Sequence, residues 1–203
     1  MNGVRQAEVE RSTAETRIRV QLHLDGSGTS RVRTGIGFFD HMLASFAHHS
    51  LFDLTVEATG DLQVDGHHTV EDTGLVLGDA LRRALGDWRG IVRFGDAAVP
   101  MDEALVLAAV DLSGRPLLSW EVPTLDAPGA RLGEWDVQLA REFFGALASA
   151  GRFTLHVREL SGRNLHHVAE ATFKSVARAL REAVAVDPRR PSAIPSTKET
   201  LQA

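Results

Sequence analysis

The chain contains no cysteine. Disulfide bridges and thiolate metal sites are both excluded, so any bound metal must sit on imidazole nitrogens and carboxylate oxygens. Positive charge is not in excess either: 22 Lys and Arg against 27 Asp and Glu give a formal net charge of −5. Such a field would not draw in a polyphosphate backbone, which disfavours a nucleic-acid partner. No apolar run approaches the roughly 20 residues needed to cross a bilayer, and the opening stretch MNGVRQAEVERSTAETR lacks the apolar centre of a signal peptide. No membrane association and a cytoplasmic location are therefore expected. What is present, 203 residues with 43% hydrophobic and 24% charged, suffices for a real core in one domain or two small ones.

Hydropathy alternates from Arg17. Ile18, Val20, Leu22 and Leu24 share one face, Asp25-Gly26-Ser27-Gly28 turns the chain, and a short strand over residues 31–34 completes an expected hairpin. Phe39, Met42, Leu43 and Phe46 then recur at helical spacing, and Phe52, Leu54, Val56 and Ala58 alternate up to a turn at Gly60-Asp61. An amphipathic stripe of Val70, Gly74, Leu77, Leu81 and Leu85 stops at Gly86, a residue suited to a helix C-terminus. This half reads ββαββα. The other half repeats the order: strands over residues 104–110 and 117–122, a helix on Val137, Ala140, Phe144 and Leu147, a strand on Phe153, Leu155 and Val157, and a helix over about residues 167–186 that Asp187-Pro188 ends.

A shift of 99 positions superposes His67 on His166, His68 on His167, Glu71 on Glu170, Thr73 on Thr172 and Arg82 on Arg181. Such self-similarity marks an internal duplication. Two half-domains, residues 1–90 and 91–186, would each lay helices on one face of an antiparallel sheet and pack their helical faces together, an α+β arrangement. Residues 187–203, with Pro188, Pro191 and Pro195 and no periodicity, should be mobile if left to themselves.

The duplicated motif carries metal-ligand chemistry. Four of the nine histidines fall in two copies of His-His-x-x-Glu, each at the start of a helix. One histidine and the glutamate share a face there and can converge on one ion, whereas the adjacent histidine must point elsewhere, so each pair could serve two sites. A single copy also reads as a capped polar helix start. Two copies at equivalent places are poorly explained by capping alone. His41 lies 67 − 41 = 26 residues before His67, and Glu142 lies 166 − 142 = 24 before His166; the intervening turn differs by two residues, so these positions correspond. Both point off the core stripes of their helices, which suggests metal sites completed by another subunit. Nitrogen and oxygen donors without sulfur suit Mn²⁺, Fe²⁺ or Zn²⁺. His23 and His156 read as structural strand residues, and His48 and His49 are open between the two readings.

From Glu15 to Leu201 the chain resembles the imidazoleglycerol-phosphate dehydratase family. The resemblance rests on TGIGFFDHML at residues 34–43, DGHHTVED at 65–72, NLHHVAEATFK at 164–174 and PSTK at 195–198. It implies a tandem duplication of the ribosomal protein S5 domain 2-like kind, two Mn²⁺ per active site, and an assembly of 24 chains with sites between subunits. It also implies Mn²⁺-dependent loss of water from imidazole-glycerol phosphate to give imidazole acetol phosphate, a step of histidine biosynthesis. Metal ligands then fall on His41, His67, His68, Glu71, Glu142, His166, His167 and Glu170. Substrate contacts fall on Glu15, His49, Arg93, Arg115, Lys174, Ser196 and Lys198, and the guanidinium, ammonium and hydroxyl groups among them are what a phosphate monoester needs.

Glu15, Glu71, Glu170 and Lys174 are the candidates for moving protons, with Glu15 favoured if the other glutamates are held as ligands. Three positions depart from the pattern. Glu142 stands where some members have His, Ser45 where many have a polar amide, and Glu199 where glycine usually follows the lysine. A metal store and a dinuclear phosphatase are the competing readings. The first has no use for a phosphate pocket, and the second would release inorganic phosphate.

Overall fold

The computed structural model describes residues 4–198, 200 and 201. β1 (Gln6–Ser12) and β2 (Thr16–His23) form an antiparallel hairpin, followed by β3 (Ser30–Arg33), α1 (Gly37–Ser50), β4 (Asp53–Gly60) and α2 (His67–Leu85). The second half runs β5 (Phe94–Met101), β6 (Ala104–Asp111), β7 (Leu117–Glu121), a ribbon of β8 (Arg131–Leu132) and β9 (Trp135–Asp136), α3 (Leu139–Gly151), β10 (Thr154–Ser161) and α4 (Leu165–Ala183). The two main sheets are four-stranded, with orders β1-β2-β4-β3 and β5-β6-β10-β7. One topology is thus written twice, and the expected α+β duplication stands.

The order of elements within each half differs from the expected one. Each half is βββαβα, because a strand precedes the alternating run that begins at Arg17 and only one strand joins the two helices. β1 was not legible because its only apolar inward residues are Ala7 and Val9, followed by Arg11, which pairs with Asp72 of α2. The hairpin expected between residues 17–24 and 31–34 does not form. β4 lies between those strands, antiparallel to β2 and parallel to β3. A parallel neighbour requires a crossover, which α1 supplies between β3 and β4, as α3 does between β7 and β10.

α2 covers β1 and β2, α4 covers β5 and β6, and the halves meet where α1 packs on α4 and α2 on α3. Phenylalanines fill that layer, with Phe39 edge-on to Phe143 at 5.3 Å and Phe143 stacked on Phe173 at 5.5 Å. The α2–α3 crossing depends on glycine. A Cβ on Gly74 would lie 2.6 Å from the Phe143 carbonyl oxygen, and one on Gly78 would lie 2.5 Å from that of Leu147. Only hydrogen side chains let the two backbones approach so closely.

The C-terminal segment is docked, contrary to the expectation of a mobile tail. Its backbone pairs with the connection before β5: Gly90 N–H donates to the Ala193 carbonyl at 2.8 Å, and Asp187 N–H to that of Gly90 at 2.8 Å. Ile194 packs on the core and Leu201 is buried in it. The sequence concealed this because two apolar side chains seven positions apart make no periodic stripe. Glu199 lies outside the described residues.

Candidate active site

Both His-His pairs occupy the first turn of their helices. The Asn164 side chain caps α4 by accepting from the backbone N–H of His166 at 2.9 Å and of His167 at 3.3 Å. At α2 the Asp65 carboxylate accepts from the His67 N–H at 2.8 Å. These bonds satisfy amide groups that the helix leaves without partners. Within each pair the rings diverge: the interplanar angles are 88° for His67 and His68 and 84° for His166 and His167.

His166 Nε2 lies 3.0 Å from Glu170 Oε2, and His41, brought in by the packing of α1 on α4, places its Nε2 3.7 Å from the same oxygen. Donor atoms of the three residues all lie within 4.8 Å of one another. A first-row divalent ion with ligands at about 2.1 Å holds its donors roughly 3–4.2 Å apart, so this group could hold a metal ion with little movement. Phe38 stands edge-on to His166 at 5.3 Å and supports the ring. Lys174 Nζ is 2.8 Å from Glu170 Oε1. Burial acts to raise the Glu170 carboxyl, yet Lys174 and His166 outweigh it and hold the group below its ordinary value. Burial, reinforced by Lys174 and His48, pushes the His49 imidazole down. His49 lies on α1, which packs on α4.

The corresponding residues of the other half are less closely drawn together. His67 Nε2 is 3.9 Å from Glu71 Oε2, and His67 and Glu142 line one cleft of about 580 Å³ beside α3 and the β8–β9 ribbon. His41 and Glu142 do occupy matching helices, α1 and α3.

The second histidine of each pair has a carboxylate partner that the spacing did not reveal. His68 Nδ1 lies 3.0 Å from Asp61 Oδ2 and 3.8 Å from Glu15 Oε2, and His167 Nδ1 lies 2.7 Å from Glu103 Oε2. Asp61 follows β4 and Glu103 sits in the β5–β6 turn, so neither stands in register with the motif. The Asp61 hydrogen bond raises the His68 pKa, and the Glu103 bond raises that of His167. Glu103 itself is lowered to about 2, chiefly by His167 and by the Asn164 N–H. A carboxylate on Nδ1 orients the ring and is the usual support for a metal-binding imidazole, although His167 Nε2 itself lies 3.6 Å from Asp102 Oδ2.

Arg93 and Arg115 meet at Asp111. Arg93 Nε is 2.7 Å and Arg115 Nη2 3.8 Å from that carboxylate. Arg93 also donates to the Pro195 carbonyl at 2.9 Å, which fixes the tail beside it. Its side chain is 15% exposed and that of Arg115 is 64%. Lys198 is exposed, with its N–H bonded to Ser196 Oγ at 3.2 Å. The four residues expected to bind phosphate are therefore gathered at one end of the second sheet.

They are not beside the histidines of the same chain. The Arg93 N–H bonds to the carbonyl of Ala183 at the far end of α4, 183 − 166 = 17 residues from His166. At about 1.5 Å per residue this is roughly 26 Å.

Comparison with known proteins places the chain in a family. Residues 34–180 match the sequence profile described as "Imidazoleglycerol-phosphate dehydratase". The chain is 60% identical over 198 residues to the imidazoleglycerol-phosphate dehydratase of Roseobacter denitrificans, covering 98% of this chain and 100% of the relative. It is 57% identical to that of Paracoccus denitrificans with the same coverage. Among solved structures, the Staphylococcus aureus enzyme superposes with a TM-score of 0.80 at 36% identity, covering 90% of this chain and 99% of that one. The Pyrococcus furiosus enzyme gives 0.80 at 38%, covering 95% and 100%. With a sequence match over most of the length and the same fold in the solved relatives, the chain belongs to the imidazoleglycerol-phosphate dehydratase family.

Proposed function

We propose that this chain, a member of a hydro-lyase family, removes water from imidazole-glycerol phosphate to give imidazole acetol phosphate in histidine biosynthesis, with Mn²⁺ at sites shared between copies. The observation that carries the reading is the division of labour along α4. His41, His166 and Glu170 gather at its start, and Arg93 and Arg115 lie at its end. A separation of roughly 26 Å exceeds the length of a three-carbon phosphate ester carrying one imidazole. One chain can hold either end of such a substrate but not both, so the oligomer expected from the sequence, 24 chains in the resemblance, completes the site.

The donor set fits the metal. It is nitrogen and oxygen without sulfur, three donors already converge, and His68 and His167 diverge from their neighbours with their Nδ1 atoms held by carboxylates. His41, His166 and Glu170 would hold one ion, and His67, Glu71 and Glu142 a second, each joined by the second histidine of a pair from another copy. When bound, such ions supply Lewis acidity toward the imidazole nitrogens and a substrate hydroxyl.

The remaining work falls to the protein. The reaction expels the hydroxyl on the carbon next to the ring and removes the hydrogen of the neighbouring carbinol carbon; the resulting enol becomes the ketone. Glu15, exposed and 3.8 Å from His68, is free to take that proton. Glu170 is engaged by His166 and Lys174, and Lys174 and His49 are placed to orient or protonate a leaving hydroxyl. Arg115, Ser196 and Lys198 bind the phosphate, with Arg93 anchoring the tail, and binding far from the reacting carbons is spent on orienting them. The direct test is to incubate Mn²⁺-loaded protein with imidazole-glycerol phosphate and follow the enolisable ketone. Release of inorganic phosphate instead would identify a phosphatase and refute the proposal.

A further inference from the structure

The duplication places two glutamates at one equivalent position and treats them differently. A shift of 94 − 6 = 88 positions carries the β1–β2 turn onto the β5–β6 turn, since Ser12 pairs with Arg17 and Pro100 with Leu105, and it sets Glu15 on Glu103. Glu103 is committed. Its carboxylate lies 2.7 Å from His167 Nδ1 and accepts the N–H groups of Arg163 at 3.1 Å and Asn164 at 2.8 Å. Glu15 stands off at 3.8 Å from His68 Nδ1, because Asp61 occupies that nitrogen at 3.0 Å. Its side chain is 55% exposed, so what fixes its direction acts on the turn.

A chain of polar groups ties that turn to α2. Thr13 Oγ1 accepts the backbone N–H of Glu15 at 3.1 Å and of Thr16 at 3.0 Å, and lies 3.2 Å from Thr16 Oγ1. The Thr16 hydroxyl donates to the buried carboxylate of Asp72, whose other oxygen accepts from Arg11 Nε at 3.0 Å. The second half replaces every member. The 88-position shift carries Arg11, Thr13 and Thr16 to Val99, Met101 and Ala104, and the 99-position shift of the helices carries Asp72 to Ala171. Val99, Ala104 and Ala171 are buried and Met101 packs on the core, so an equivalent turn and helix fold without the polar chain.

We infer that Asp72 is a positioning residue: through Thr16 and Thr13 it fixes the turn that carries Glu15, so that this carboxylate stays beside the start of α2 without being bound there. This rests on the function proposed above, in which Glu15 takes the proton. A proton acceptor works only within hydrogen-bond reach of its hydrogen, and a displacement of about 1 Å costs up to about 100-fold in rate. An exposed glutamate on a two-residue turn gains such precision when the turn is tied to the element bearing the rest of the site. Asp72 directly follows Glu71 on α2, the helix that also carries His67 and His68. A buried carboxylate carries a desolvation cost that the second half avoids with alanine, and in that half the equivalent glutamate is held by its own hydrogen bonds.

The second half supplies the variant for the test. Thr16→Ala combined with Asp72→Ala brings in the alanines found at 104 and 171, and is made in the full-length, Mn²⁺-loaded protein. Ketone formation should show kcat at least about 10-fold lower with KM within about 2-fold, while bound metal and oligomeric mass stay unchanged. In the Glu15→Gln protein the same pair should lower kcat by less than about 2-fold further, because a group already removed cannot also be misplaced. A pair that keeps wild-type kcat, loses metal, or lowers kcat equally in both backgrounds overturns the proposal and leaves Glu15 as the proton acceptor. A Glu15→Gln protein with wild-type kcat overturns that role and this proposal together. If the pair does not fold, Thr16→Val and Thr16→Ser decide. Loss of the hydroxyl alone should lower kcat at least about 5-fold and its retention should keep kcat within about 2-fold of wild type, whereas equal rates overturn the proposal.

Discussion

If metal-binding and phosphate-binding residues of one active site come from different chains, two inactive variants should restore each other. Glu170→Gln damages the group formed with His41 and His166 at the start of α4. Arg115→Ala removes the exposed guanidinium at the other end. Some 26 Å of helix backbone separates the two regions, so on the proposed reading each site draws on two chains. In hybrids made by co-expressing the variants in equal amounts, a site is intact when its metal residues come from the Arg115→Ala chain and its phosphate residues from the Glu170→Gln chain. Random assembly gives a probability of one half for each of the two mutated contributions, so about 25% of wild-type activity should return. Sizing must first show that both variants assemble, and ketone formation is then compared with the sum of the separate preparations. Activity no greater than that sum, in hybrids shown by mass spectrometry to contain both chains, would refute the shared-site argument.

Glu15→Gln should retain metal and assembly while lowering kcat by about two orders of magnitude or more, as for a lost general acid or base; a kcat near wild type removes Glu15 from that role. Lys198→Ala should raise KM by about 10- to 150-fold, the effect of losing one charge-assisted contact worth about 1.5–3 kcal/mol, with kcat nearly unchanged. Deleting residues 195–203 is the coarser experiment, because it also removes the buried Leu201 and the carbonyl that holds Arg93, and its melting temperature should fall as well. Metal content and stability should respond to pH in opposite senses. Asp61 and Glu103 raise the pKa values of His68 and His167 above the ordinary 6.5, so acid should displace metal at a higher pH than from unpaired histidines. In metal-free protein the same ion pairs contribute stability below about pH 6.5 that is lost as pH rises through the raised values, so the apo Tm should decline there while the Mn²⁺-loaded Tm does not. Calorimetry of both forms between pH 6 and 8 checks this, and parallel curves would contradict it.

The sequence alone determined what repeats. The duplicated motif, the match of His41 with Glu142, the divergence of adjacent histidines and the buried stripes of the first three helices all follow from periodicity and spacing, which the chain carries locally. A family resemblance, and no spacing, brought Arg93, Arg115 and the Ser196–Lys198 segment under suspicion, since nothing in their local pattern marks them as neighbours.

Only the tertiary structure decided which strands pair, because the insertion of β4 between β2 and β3 depends on a crossover through α1 that no local alternation encodes. It alone supplied Asp61 and Glu103 as supports for the second histidine of each pair, since these come from turns whose positions depend on the fold. It docked the tail through two scattered apolar contacts and backbone bonds. It also set the His41, His166 and Glu170 group and the arginines at opposite ends of α4. Distance through space is a property of the packed chain, and sequence separation does not record it.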